Sequence, residues 1–304
     1  MWILATFISA FLIGLQDIAR KKALVGNNVL LVLLLNVFFC ALILSPLVLS
    51  SQAGLGWFEN NTWLAIPRGS WAAHGWVFLK AVIVLASWLS MYFALKYLPI
   101  TLTAPIHATY PILTLLGAIV IFGERLNLYQ WAGILVSVYS LVLLKQSGKN
   151  EGIFFARNKW IWLLGISALF SAASGLYDKF LMRQVHFMFV QSWYTFYQFV
   201  LMLVFVGVFA RFSKEKIFDF RWHWSILAVS VLMVVSEFFY LYALKDPQVM
   251  ISMVSMIRRS SVLVSFVGGA LFFREKNLRA KALDLCFVLI GMILLGIGSY
   301  IGVK

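Results

Sequence analysis

Apolar residues in this chain come in long uninterrupted runs instead of the short alternations of soluble strands or the one-sided stripes of soluble helices. Ten runs are long enough to cross hydrocarbon, which takes about 20 residues of helix: 2–18, 28–50, 74–96, 99–122, 128–145, 159–182, 188–211, 223–245, 248–273 and 279–301. The pattern predicts an all-α membrane protein of ten transmembrane helices. Polar breaks between runs are mostly short. Leu98 and Pro99, and likewise Asp246 and Pro247, are expected to start a new helix at proline, whose missing N–H is unneeded in a first turn. The longer links are 51–73 and 146–158, and the second, with Gly148, Lys149, Asn150, Glu151 and Gly152, divides the chain near its middle.

The two halves echo each other. Ala94, Leu95 and Lys96 return as Ala243, Leu244 and Lys245; Phe122, Gly123, Glu124 and Arg125 are answered by Phe273, Arg274, Glu275 and Lys276; Gly14, Leu15, Gln16 and Asp17 by Gly175, Leu176, Tyr177 and Asp178. Two repeats are expected, at 1–147 and 158–304. Five spans per repeat is an odd number, so the second repeat enters the membrane from the opposite side and the halves form two inverted five-helix repeats, an architecture of carriers.

Composition agrees: 62% of the 304 residues are apolar and 12% charged, too few charges to coat a soluble surface. The net charge of +14 comes from short basic clusters between runs, such as Arg20, Lys21 and Lys22, so it is read as membrane orientation and not as a nucleic-acid footprint. Sixteen of the 25 lysines and arginines fall on the side of links 1–2, 3–4, 5–6, 7–8 and 9–10, which by the positive-inside rule places both termini outside. The first run lacks a basic start and a small-residue cleavage site and is read as a spanning helix, not a signal peptide. Asn60, Asn61 and Thr62 form a sequon that is read as a polar turn. Cys40 and Cys286 are too far apart to read as a metal site, the four histidines have no ligand spacing, and no P-loop pattern occurs, so neither metal nor cofactor nor ATP drive is expected.

Phe122, Gly123, Glu124, Arg125 and Leu126, followed by Gln130, Trp131, Ala132, Gly133 and Ile134, resemble the signature of the drug/metabolite transporter superfamily in its EamA-type ten-helix branch, and Phe273, Arg274, Glu275 and Lys276 resemble the same motif with its glycine replaced. The resemblance implies two five-helix repeats around a central cavity, a carrier of small metabolites, amino acids or drugs that often works outward, and termini in the cytoplasm, against the charge count. In a bacterium such a protein would sit in the inner, cell membrane. Glu124 beside Arg125 is read as an interfacial pair that fixes a turn.

Ionisable groups within a span are the functional leads, because each costs several kcal/mol without a polar surrounding. Arg258 lies near the middle of the ninth run, and an offset of 151 makes His107 its mate in the fourth. Inverted repeats place substrate between such midplane positions. Arg258 is expected to hold an anionic group, with His107, Tyr240 and Tyr177 orienting it and Trp88 packing on an apolar part. Glu237 is read as counter-ion to Arg258, or with Asp178 as a proton or ion coupling site. Arg259 points about 100° away from Arg258, so both are not expected to face one narrow cavity equally, and one of the two is read as a structural partner. Lys80 is expected to snorkel to the interface, and Asp178 to pair with Lys179. Ser167, Ser171 and Gly175, and Gly133 with Ser137, are expected to let helices approach closely. Pro105 and Pro111 are expected to bend the fourth helix beside His107.

The expected function is secondary transport, read as export, of small metabolites such as amino acids or organic anions across a lipid bilayer by alternating access at a midplane site, with no enzyme activity. Competing readings are an organophosphate or nucleotide-sugar exchanger, and a membrane-embedded group-transfer enzyme. A homodimer is the one protein partner considered.

Overall fold

The computed structural model describes residues 2–53, 55, 64–110, 112–113, 116, 126–149, 153–212, 220–245, 249, 251–273, 275 and 277–301, the backbone alone at 179, 251–253, 299 and 301. The Phe122 to Arg125 motif, Pro111, the sequon, Asp246, Pro247, Arg274, Lys276 and the Lys179 side chain lie outside the described residues.

The described helices are α1 (Trp2–Ala23), α2 (Val29–Gln52), α3 (Trp71–Tyr97), α4 (Ile100–Ala108), α5 (Leu128–Lys149), α6 (Lys159–Gln184), α7 (Phe187–Phe212), α8 (Trp224–Leu244), α9 (Ile251–Arg259), α10 (Ser261–Phe272) and α11 (Leu278–Ile301). Among the described residues nine helical stretches are long and apolar enough to span a membrane, α9 and α10 supplying one of them as Val254–Phe272. Of the fourth predicted run, α4 is the principal described part. Helix starts are set by side chains that satisfy otherwise unpaired N–H groups: Asn28 accepts from Leu30 N at 2.9 Å, Ser70 from Ala73 N at 3.2 Å and Asn158 from Trp160 N at 2.9 Å. Gly26, at φ +71°, turns the chain between α1 and α2 where a Cβ would be strained.

The helices pack as two interlocked copies. Taking α1 with α6, α2 with α7, α3 with α8 and α5 with α11 as mates, the contacts exchange under the swap: α1 lies on α8 as α6 lies on α3, and α2 lies on α8 as α7 lies on α3. The pairs α2–α7 and α5–α11 map onto themselves. That reciprocity is what a two-fold relation between repeats requires.

Small residues bring the self-paired helices together. A Cβ on Gly133 of α5 would meet Leu295 N at 2.8 Å and Gly291 O at 2.9 Å, and one on Gly291 of α11 would meet Gly133 O at 3.1 Å and also Ser137 Oγ. Ser87 of α3 and Ser167 of α6 bridge by hydroxyl to carbonyl at 3.0 and 2.9 Å. Gly175 departs from the expectation: a Cβ there meets nothing within 4 Å, because it faces open space. Large apolar side chains such as Phe7, Phe11, Leu135 and Leu203 are exposed on outer faces, as they should be where the solvent is lipid.

Glu275, just after α10, reaches across the repeats to the start of α4. Its carboxylate accepts from Ile100 N at 2.7 Å, from Thr101 N at 2.9 Å and from Thr101 Oγ1. Pro99 occupies the cap position and has no side-chain acceptor, so a distant carboxylate does the capping. Lys281 Nζ, wholly buried, donates to the same Thr101 hydroxyl at 3.0 Å.

The fourth and ninth spans are interrupted at equivalent points. Thr109 N donates to Ile106 O at 3.2 Å and Ser260 N to Ile257 O at 3.0 Å; Thr109 Oγ1 and Ser260 Oγ donate to the same two carbonyls at 2.6 and 2.7 Å; Ile112 N donates to Thr109 O and Leu263 N to Ser260 O, both at 3.0 Å. Each pair is separated by 151 residues. The hydroxyl and the tight turn satisfy carbonyls that an uninterrupted helix would have used, which lets the chain break within the membrane without orphaned groups.

Candidate functional site

These interruptions follow directly after His107–Ala108 on α4 and Arg258–Arg259 on α9, and both stretches open onto one cavity between the repeats. The cavity has a volume of about 170 Å³ and is walled by α1, α3, α4, α6, α7, α8, α9 and α10. An apolar cavity of roughly 150 Å³ holds a benzene-sized molecule, which sets the size class here. His107, Trp88, Asp178, Glu237, Tyr240, Arg258 and Arg259 line it, as do Gln16, Asp17, Arg20, Lys80 and Tyr110.

Tyr177 does not. Its hydroxyl donates to Trp76 O at 3.1 Å and its ring stacks on Phe180, because the residue next to Asp178 on a helix is turned about 100° away from the cavity that Asp178 faces.

The charged groups form layers. In the middle, Arg258 pairs with Glu237, donates from Nε to Ser9 Oγ at 3.2 Å and lies over the Tyr240 ring with its guanidinium carbon 3.8 Å from the centroid. Arg259 does the equivalent toward the first repeat: it donates to the Tyr110 hydroxyl and lies 3.8 Å over that ring. Adjacent arginines thus share one cavity by leaning on different aromatic walls. His107 Nε2 sits 3.2 Å from Ser171 Oγ and 3.4 Å from Ser167 Oγ, in a hydroxyl cluster completed by Ser87.

Toward one end, Asp178 pairs with Lys80, accepts from the Tyr240 hydroxyl at 3.4 Å, and Lys80 lies 5.3 Å from the Tyr194 ring centre. Lys80 is 3% exposed, so it does not snorkel, and Asp178 takes it as partner across the repeats. Toward the other end, Asp17 accepts from Arg20 at 2.8 Å and from Ser265 Oγ at 3.0 Å, with Arg20 lying 4.8 Å over the Tyr92 ring. Asp17 and Asp178 are the aspartates that repeat at an offset of 161. Each is bound to one cation and accompanied by a tyrosine from α3 or α8.

Gln16, Asp17 and Arg20 are not among the site residues expected from the sequence. The first apolar run ends at 18, yet α1 continues to Ala23, and Gln16, Asp17 and Arg20 are buried. Arg20, grouped with a basic link, is 8% exposed and belongs to the cavity wall. The signal that could have found them is the helical spacing of Gln16, Asp17 and Arg20, which puts them on one face despite the basic run that follows. Lys21, next along, turns away and donates to Leu95 O and Leu98 O, the end of α3.

Among the described residues no group of three or more histidine, cysteine, aspartate or glutamate side chains could hold a metal ion.

A solved structure described as "Crystal structure of protein" is similar in fold, with a TM-score of 0.64 over 97% of both chains at 15% sequence identity. No curated protein matches the chain. The family model of the EamA-like transporter family matches residues 1–145 and 158–297, once on each half of the helical bundle. Two matches covering most of the sequence, on a membrane bundle whose halves pack reciprocally about a charged cavity, assign the chain: it belongs to the EamA-like transporter family.

Proposed function

We propose that the protein is a secondary carrier of small metabolites, amino acids or organic anions, that binds them in the midplane cavity and exposes them alternately to the two sides. The repeats, 1–147 and 158–304, would move against each other about this site. The observation that carries the reading is the coincidence of symmetry-related helix breaks at Thr109 and Ser260 with the polar residues His107 and Arg258 in the wall of one cavity. Discontinuous helices around a midplane site are how transporters present polar groups to a small solute in lipid.

In this reading His107 orients the solute by a ring nitrogen, Tyr240 supports the Arg258 guanidinium, and Trp88 offers an apolar wall. Arg258 and Glu237 balance each other, so the pair brings no net charge into the cavity. Asp178 and Glu237 are the carboxylates positioned to couple transport to a proton or cation. Outward transport and residence in a cell membrane belong to the same proposal. The cavity contacts are read as those of a binding site and not of a group-transfer enzyme: His107 sits among the Ser87, Ser167 and Ser171 hydroxyls, and among the described residues no carboxylate contacts its ring to orient it as a base.

The test is flux in proteoliposomes holding the purified protein, with counterflow separating exchange from net export. The expected result is saturable uptake of at least one small metabolite that Arg258→Ala abolishes while the variant still inserts as a folded bundle. Wild-type flux through that variant would remove the site assignment.

A further inference from the structure

The cavity wall carries an imbalance that selects among solutes. Four cationic side chains line it, Arg20, Lys80, Arg258 and Arg259, against three carboxylates, Asp17, Asp178 and Glu237. Each carboxylate is taken by one cation: Asp17 by Arg20, Asp178 by Lys80 and Glu237 by Arg258. Arg259 is left: among the described residues it forms no ion pair of its own, although Asp17, already paired with Arg20, is near enough to act on it. Among the described residues the wall thus has one cation more than it has carboxylates.

Unfilled hydrogen-bonding capacity has the same sign. Gln16 Nε2, Arg20 Nε and Arg259 Nε are buried, belong to residues that line this cavity and have no hydrogen-bond partner among the described residues. All three are donors. Gln16 is 4% and Arg20 8% exposed, so bulk solvent does not reach them freely. A buried donor without an acceptor costs free energy, and an unpaired buried cation costs more, so an acceptor that carries negative charge would satisfy these groups best.

We infer that the carrier's solute is a small organic monoanion, a carboxylate or phosphate ester, whose charged head is held by Arg259 with Gln16 and Arg20, while its apolar body lies toward Trp88, Met91 and Met233. The inference rests on the carrier reading above and narrows it: a zwitterionic amino acid would bring an ammonium group into a wall whose carboxylates are all occupied, and a neutral solute would leave the extra charge unanswered. It also moves the anion contact from Arg258, which Glu237 neutralises, to its neighbour. Arginine suits the task because its planar fork meets two oxygens of one head at once.

The purified full-length protein in detergent would be titrated with lactate, benzoate and inorganic phosphate, and in parallel with leucine as zwitterion and with benzamide and glycerol as neutral counterparts, reading the unfolding temperature. At least one anion is expected to stabilise the wild type, with benzamide and leucine lacking the effect. In Arg259→Gln the midpoint concentration for that anion should rise by tenfold or more, a loss of the order of one charge-assisted contact. Arg259→Lys keeps the charge without the fork and should fall between the two, which also guards against a variant that merely misfolds. Stabilisation by leucine or benzamide as strong as by the anions, an anion response unchanged in Arg259→Gln, or no response to any of the three anions would each overturn the inference. Flux distinguishes the two layers of the reading: anion binding without any transport leaves the subsite and sinks the carrier, whereas Arg259-independent transport of a zwitterion does the reverse.

Discussion

Arg258 and Glu237 show how a charge is kept in lipid. Removing one member of such a buried pair leaves the other without compensation, at a typical cost of about 3–5 kcal/mol, while removing both is far milder. Arg258→Ala should therefore lower the unfolding temperature strongly in detergent, and Arg258→Ala with Glu237→Ala should recover most of the loss; two equally destabilised variants would show that the pair does not act as one unit. The four cavity cations each lie over a tyrosine ring, Arg20 on Tyr92, Lys80 on Tyr194, Arg258 on Tyr240 and Arg259 on Tyr110. A ring face attracts cations and excludes water, a contact that strengthens as it is desolvated. That pattern was only partly legible in the sequence: tyrosine and tryptophan are abundant, but belt residues at the lipid interface have the same composition.

At the scale of elements, two devices recur. The first is the hydroxyl that closes each interrupted helix. Thr109→Val and Ser260→Ala each remove one hydrogen bond to a buried carbonyl, and each should cost on the order of 1 kcal/mol by chemical or thermal unfolding, with the double variant close to additive. No loss in either would mean the turn satisfies the carbonyl unaided. The sequence pointed to Pro105 and Pro111 for the bend beside His107; the structure puts the interruption after Ala108, where a β-hydroxyl residue follows in both repeats. The second device is close contact through glycine. Gly291→Ala would push a methyl into Ser137 and the Gly133 carbonyl, so an overpacking cost of about 1–3 kcal/mol is expected in unfolding measurements. Gly175→Ala meets open space and should leave stability within experimental error while narrowing the cavity, a change that a flux assay would register and an unfolding curve would not.

For the whole molecule, the decisive feature is where ion pairs run relative to the repeats. Asp17 with Arg20 lies within the first repeat and Glu237 with Arg258 within the second, whereas Lys80 with Asp178 joins α3 of one to α6 of the other. The proposed movement of the repeats against each other would have to carry or break that bridge. Lys80→Asp or Asp178→Lys alone puts two like charges face to face, and either should abolish flux; the combined exchange should restore a measurable part of it, and failure to restore any would argue that these positions serve something other than a bridge. Glu275 makes a second connection between repeats by capping α4, and Glu275→Gln, which keeps the shape and removes the charge, should cost roughly 0.5–2 kcal/mol of stability.

Hydrophobic run length by itself determined that this chain spans a membrane, because lipid leaves the backbone no choice but internally bonded helices. Odd span number then determined the inversion, and similar fragments at offsets of 149, 151 and 161 determined the repeats, the offset of 151 pairing His107 with Arg258. Tertiary structure alone decided which neighbour each charge receives. Lys80 met Asp178 and not the interface, Tyr177 turned away from the cavity that Asp178 enters, and Arg20 left its basic cluster for the wall. The physical reason is that span and repeat are properties of one segment or of two compared, while electrostatic pairing depends on which helix faces are brought together, here within a few ångströms across 98 residues of chain.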